Sequence, residues 1–143
     1  MKKFLIIITL ILFLNIQVQA ARLHSESSYQ KAYCSQIPNA QMEYVTNNNA
    51  RVDCLTDIYA IEFDFASKYD EGLGQALVYS YFTGKKPKIV LIVEKPKKEL
   101  KYIDKVKGTA LLHGVEIEIV TPKILKTNKH GKCIYKTCRC NRK

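Results

Sequence analysis

The pattern of apolar and polar positions changes period between residues 51 and 83. Residues 51–55 and 58–65 are short apolar stretches that carry acids. The second alternates strictly, with Ile61, Phe63 and Phe65 on one face and Ala60, Glu62 and Asp64 on the other. Thr56 and Asp57 supply the turn of a hairpin that lets Asp53 join the two strand acids. The period then becomes helical. Lys68, Gly72, Gln75 and Tyr79 share one polar stripe, and Leu73, Ala76, Leu77 and Ser80 form the apolar stripe beside it. Gly72 offers no side chain to obstruct a ligand on the polar stripe. Thr83-Gly84 closes this helix with a glycine cap.

Upstream, Ser27 or Ser28 caps a short helix over residues 29–36, which stops at Ile37-Pro38. Residues 41–45 read as a strand, and Thr46 to Asn49 turn the chain into Arg51. Glu43 on that strand reads as an exposed acid. Downstream, the unbroken apolar run 89–93 has the pattern of a strand covered on both faces, which places it in the middle of the sheet. Pro96 opens a further helix that runs to about His113, with Gly114 as its cap. Val115, Ile117 and Ile119 then alternate with Glu116 and Glu118 in a last strand with one wet face. The fold class is therefore α/β, an α+β arrangement around a mixed sheet, in a single domain over residues 21–122.

Residues 1–20 stand apart from that domain. Lys2 and Lys3 precede an apolar run from Phe4 to Leu14, and Val18-Gln19-Ala20 forms a small-residue cleavage site, the layout of a bacterial secretory signal. The run is short for the ~20 residues a membrane span needs. The expected product is secreted or periplasmic, with no membrane span after cleavage. Its charge is unevenly spread: residues 21–122 hold 13 basic and 13 acidic residues, whereas residues 123–143 hold eight basic residues and no acid. These are Lys123, Lys126, Lys129, Lys132, Lys136, Arg139, Arg142 and Lys143. A neutral body with a cationic tail suits a polyanionic partner, nucleic acid or an anionic surface.

Five cysteines in an exported chain invite disulfides, and an odd number leaves one over. Cys54 sits on the strand face opposite Asp53 and is expected as a buried thiol. Cys34, Cys133, Cys138 and Cys140 are then expected to form two bridges, with Cys34 tying the tail to the first helix. The alternative is a small zinc site from His130, Cys133, Cys138 and Cys140. That spacing fits no common zinc module, and export favours oxidation. His24 and His113 read as surface residues.

The acids carry the chemistry. Asp53, Glu62 and Asp64 projecting on one patch repel each other and stay ionised at neutral pH only beside a cation. Such oxygen ligands suit Mg²⁺, Mn²⁺ or Ca²⁺ rather than zinc. The constellation resembles the PD-(D/E)XK nuclease-like superfamily over about residues 28–121. Asp53 matches that family's first acid and Glu62 its second, and Gln75-Ala-Leu-Val-Tyr79 looks like the Q-x-x-x-Y helix motif of its RecB-type branch. The resemblance implies a restriction-endonuclease-like α-β-β-β-α-β core, here with a further α-β unit and a Cys-rich basic tail. It also implies a Mg²⁺- or Mn²⁺-dependent nuclease acting on DNA or RNA, with Asp53 and Glu62 on the metal; Asp64, beside them, is expected as an extra ligand or a second-metal ligand. Gln75 and Tyr79 would position the site. One position departs from the family: its lysine, two residues after Glu62, is Asp64. Either Lys68 supplies the amine from the helix, or the site is inactive. A non-catalytic nucleic-acid-binding protein and a disulfide-stapled effector with a protein partner are the alternative readings.

Overall fold

The computed structural model describes residues 22–125 and Ile134. The leader over residues 1–20 and the expectations for His130, Cys133, Cys138, Cys140 and the tail bases beyond Lys123 lie outside the described residues. Lys123 itself is exposed. Among the described residues no helix is long and apolar enough to cross a membrane.

The chain runs through α1 (Glu26–Cys34), β1 (Gln41–Val45), β2 (Arg51–Leu55), β3 (Tyr59–Phe65), a 3-10 turn (Ala66–Lys68) and α2 (Tyr69–Thr83). It continues through β4 (Lys86–Ile92), α3 (Pro96–Leu112), β5 (Glu116–Val120) and a second 3-10 turn (Pro122–Ile124). This is the α-β-β-β-α-β order with an added α-β unit that the hydrophobic pattern predicts. The strands form one sheet in the order β1-β2-β3-β4-β5. β1, β2 and β3 pair antiparallel as a meander, while β3, β4 and β5 are parallel. Parallel neighbours need crossovers, and right-handed crossovers that advance in one direction put both helices on one face. α2 and α3 accordingly cover Ile89, Leu91 and Val93. α1 covers Ile61, Phe63, Val90 and Ile92 on the other face.

Three expectations need correction. The central strand is β3, not β4: Glu62 and Asp64 interrupt its apolar pattern, yet every residue from Ala60 to Phe65 is buried. α1 begins at Glu26, about one turn before the predicted start, after an extended Ser25. The third concerns the cysteines. Cys54 is not a lone thiol; it is bonded to Cys34, with Cα atoms 6.1 Å apart. Cys54 does point away from Asp53, but that face is the one α1 covers, and Cys34 is the last residue of α1. Cys34 is thus not available to the tail, and the pairing of Cys34 with the tail cysteines is ruled out. The loop closed by a separation of 20 residues is of a size for which cross-linking contributes about 3 kcal/mol.

Two buried acids outside the central cluster hold residues 22–24 in place. Glu94 accepts the backbone N–H groups of Leu23 and His24 at 2.8 and 2.9 Å and the Tyr29 hydroxyl at 2.9 Å. Glu99 pairs with Arg22 at 2.6 Å and accepts the N–H groups of Glu94 and Lys95 at the start of α3. At the far end, Ile124 and Leu125 pack against the α1-side core, so the body extends through Leu125.

A separate polar cluster lies on the α1 side of the sheet. Lys88 is buried and pairs with Glu116 at 2.9 Å and Glu118 at 2.7 Å. Tyr59 donates to Glu116 and Tyr33 to Glu118, and the ammonium lies over both rings at 5.1 and 5.9 Å. The wet face predicted for β5 is therefore held in an ion-pair network.

Candidate active site

β2 and β3 pair at Cys54–Ile61 and Leu55–Ala60, and then they part. At the parting the Asp53 carboxylate takes the place of a ladder acceptor, receiving the Phe63 backbone N–H at 2.9 Å. From α1, the Gln30 amide donates to the Asp53 backbone oxygen at 2.6 Å and to Glu43 at 2.8 Å. Glu43 lies opposite Asp53 between the Met42–Cys54 and Tyr44–Val52 pairs, and its φ of 56° is left-handed. That conformation costs a non-glycine residue roughly 1–2 kcal/mol. Glu43 is half exposed and bonded to Arg51 at 3.0 Å, so it does not line the cavity, although its charge raises the pKa of Asp53.

The splayed strands open a cavity of about 280 Å³. Asp53, Glu62 and Asp64 line it from the strands, Lys68, Gln75 and Tyr79 from the turn and α2, and Glu26, Arg51 and Glu71 complete it. All six candidate site residues read from the sequence thus meet in one place. Gly72 contributes by its smallness, though not as expected. A Cβ there would sit 2.8 Å from Ile89 Cδ1 and 3.2 Å from Asp64 Cβ. The glycine lets α2 press onto the sheet at Asp64 rather than clearing space for a ligand.

Electrostatics set this cavity apart. Glu62 is only 5% exposed, and its Oε2 is the one buried side-chain polar atom without a hydrogen-bond partner among the described residues. Burial, then the Asp53 charge, push its carboxyl far above the ordinary range. Asp53 is also raised by burial, against the lowering effect of the Phe63 N–H. Burial lifts Asp64 to about 6, although the Lys68 charge pulls the other way. Glu26 is lifted to about 8 by burial and then by the charges of Asp64 and Asp53. The Tyr79 phenol, raised by burial and by the Glu62 and Asp53 charges, keeps its proton and remains a donor. Burial is the largest cause of every one of these shifts, and for Glu26, Glu62 and Tyr79 the charges of neighbouring carboxylates add to it.

Two cations stand at the rim. Lys68 is exposed and bonded to Glu71 at 3.2 Å; that bond comes first and the Asp64 charge second in raising its pKa. Arg51, two residues before Asp53 on the same strand face, lowers the pKa of Asp53 and Tyr79 from the other side. Glu26, Arg51 and Glu71 are absent from the candidates that the sequence offers. Alternation from Asp53 marks Arg51, and the i,i+3 spacing from Lys68 marks Glu71. Glu26 is hidden by a helix start placed one turn too late.

Among the described residues no three His, Cys, Asp or Glu side chains are gathered into a ready-made metal cage. The donors nevertheless fit a hard divalent cation. Mg²⁺ usually keeps several waters and takes only one or two carboxylates, completing its shell with substrate phosphate. Asp53 and Glu62 supply two carboxylates, one with an unsatisfied buried oxygen. Compared with known proteins, the chain matches no family model, no curated protein and no solved structure.

Proposed function

We propose that the protein is an exported, metal-dependent phosphodiesterase acting on nucleic acid, with Asp53 and Glu62 as the residues that hold Mg²⁺ or Mn²⁺. One observation carries this reading: five carboxylates line a cavity where the buried Glu62 Oε2 has no partner. An unmet buried carboxylate oxygen costs a few kcal/mol, a cost retained where an outside partner completes the site. The bound cation would activate water and neutralise charge on the scissile phosphate. Asp53 and Glu62 would hold it from adjacent strands, and Asp64 would extend the donor set on the α2 side. Tyr79, kept neutral, and Gln75 offer hydrogen-bond donors to the substrate backbone. Lys68 and Arg51 stand on opposite rims, where a phosphate bridging the cavity meets positive charge from both sides.

A non-catalytic nucleic-acid-binding role is the second reading. It is favoured by Asp64 at the family's lysine position and by the Lys68 ammonium being held at Glu71. Oxidised protein incubated with DNA and RNA in Mg²⁺ or Mn²⁺ separates the two. The first reading expects cleavage that EDTA and Asp53→Ala both abolish. Intact substrate under all these conditions leaves the binding role.

A further inference from the structure

The composition of the body sums to neutrality, but its surface does not. Glu62, Asp64, Glu94 and Glu99 are buried, whereas among the described bases only Lys88 is. Four of the 13 acids thus turn inward and leave an excess of positive charge outside, and α3 carries a dense group of it. Lys97, Lys98, Lys101 and Lys105 are all exposed, and none has an ion-pair partner among the described residues. At helical spacing they fall within one flank, while Glu99, Ile103, Val106 and Ala110 form the buried face. Tyr102 lies between flank and core. Its ring is 5.1 Å from the Lys101 ammonium and 5.9 Å from that of Lys105.

The Tyr102 edge of this stripe is the one that meets the start of α2. The Tyr102 ring lies 6.2 Å from that of Tyr69, and Tyr69 directly follows Lys68 on the cavity rim. The 3-10 turn carrying Lys68 packs against α3. Lysines, two half-buried tyrosines and the rim of the acid cavity therefore form one continuous surface. From Lys97 to Lys105 the stripe is about 12 Å long at 1.5 Å per residue.

We propose that Lys97, Lys98, Lys101 and Lys105, with Tyr102 and Tyr69, form a track that docks the phosphodiester backbone of a single-stranded nucleic acid and leads it to the acid-lined cavity. This deepens the nuclease reading and rests on it for the direction of travel alone. Lysines that follow a backbone beside aromatic rings that stack bases are the combination that binds single strands without sequence preference. An anionic membrane is the competing partner, because Leu111 and Leu112 are exposed at the end of α3. Those leucines lie at the far end of the helix from Lys97 and Lys98, and neither is next to Tyr102. The stacking platform accordingly favours nucleic acid.

The test is fluorescence anisotropy of a labelled single-stranded oligonucleotide against salt, in EDTA so that cleavage plays no part. Full-length protein is compared with Lys97→Gln/Lys98→Gln/Lys101→Gln/Lys105→Gln. A charge-matched control carries Lys126→Gln/Lys129→Gln/Lys132→Gln/Lys136→Gln. For single strands each lost phosphate contact removes about 0.7 from the slope of log affinity on log salt. The α3 variant should therefore lose nearly 3 and bind at least tenfold more weakly in low salt, and by clearly more than the tail control. Equal losses in both variants would reduce the effect to net charge and overturn the track, as would an unchanged α3 variant. Loss of binding to phosphatidylserine vesicles with oligonucleotide binding intact would assign the stripe to a membrane and overturn it too. A protein that binds through the stripe yet never cleaves would leave the track standing and remove the nuclease reading alone.

Discussion

Two clusters of charge are folded into this protein, and they are built in opposite ways. Around Lys88, one buried ammonium is matched by two carboxylates, and each carboxylate also receives a tyrosine hydroxyl. Burial alone would push that lysine down, but its bonds to Glu116, Glu118 and Tyr33 raise it above the ordinary lysine value. Around Glu62, five carboxylates share a cavity whose two cations stand at the rim, and Glu26, Asp53, Glu62 and Asp64 are pushed up. A cluster that only serves the fold can be closed with internal partners. One left short of positive charge is completed from outside or carries a standing cost.

The largest expected effect comes from opening the closed cluster. Lys88→Met leaves Glu116 and Glu118 facing each other without their cation. Breaking a fully buried pair costs about 3–5 kcal/mol. Both glutamates are more than a third exposed, so solvent screening reduces the expected loss to about 2–3 kcal/mol, measured by urea denaturation. A loss below about 0.5 kcal/mol would show that the Lys88 network does not stabilise the fold.

The opposite sign is expected in the open cluster. Glu62→Gln removes a crowded, unmet carboxylate while keeping its shape, so metal-free protein should be unchanged or more stable by about 1 kcal/mol. Destabilisation like that of Lys88→Met would mean that Glu62 is a structural group, and the contrast between the clusters would collapse.

Part of this contrast is legible in the amino-acid sequence. Strict alternation in residues 58–65 puts Glu62 and Asp64 on one face, and the i,i+4 spacing of Gln75 and Tyr79 places both on the polar side of α2. These are local properties, set by the two-residue period of a strand and the 3.6-residue turn of a helix. The pairing of Cys34 with Cys54 is not legible there, because it depends on which sheet face α1 covers. Glu26 escapes for a smaller reason. Ser25, not Ser27 or Ser28, precedes the first helical turn; a serine followed at once by a glutamate is a recognised start signal, since acids are favoured near the helix N-terminus. Composition also misleads on charge, because it does not reveal that four acids of a neutral body are buried while Lys88 is the one buried base among the described residues.

A smaller effect follows from pH. The folded-state values of Glu26, about 8 against an ordinary 4.5, and of Asp64, about 6 against 3.8, are both raised. The folded state therefore holds these protons more tightly than the unfolded chain does. Their stabilisation is fully present below about pH 4 and is lost as pH rises through 6 and then 8. Thermal melts in EDTA should give a Tm that falls between pH 5 and pH 8 by at least the few degrees that 1 kcal/mol represents in a domain of this size. Glu26→Gln should flatten the upper part of that fall. A Tm that climbs over the same interval would mean the cluster is already neutralised from within.

The central claim, that the acid cavity lacks a cation which a divalent metal supplies, is tested most directly by calorimetric titration of oxidised, EDTA-stripped protein with Mn²⁺ at neutral pH. Wild-type protein should bind the ion and release protons as it does so, while Asp53→Asn/Glu62→Gln should give no binding heat. No binding by wild type, or the same isotherm from both proteins, would contradict the account.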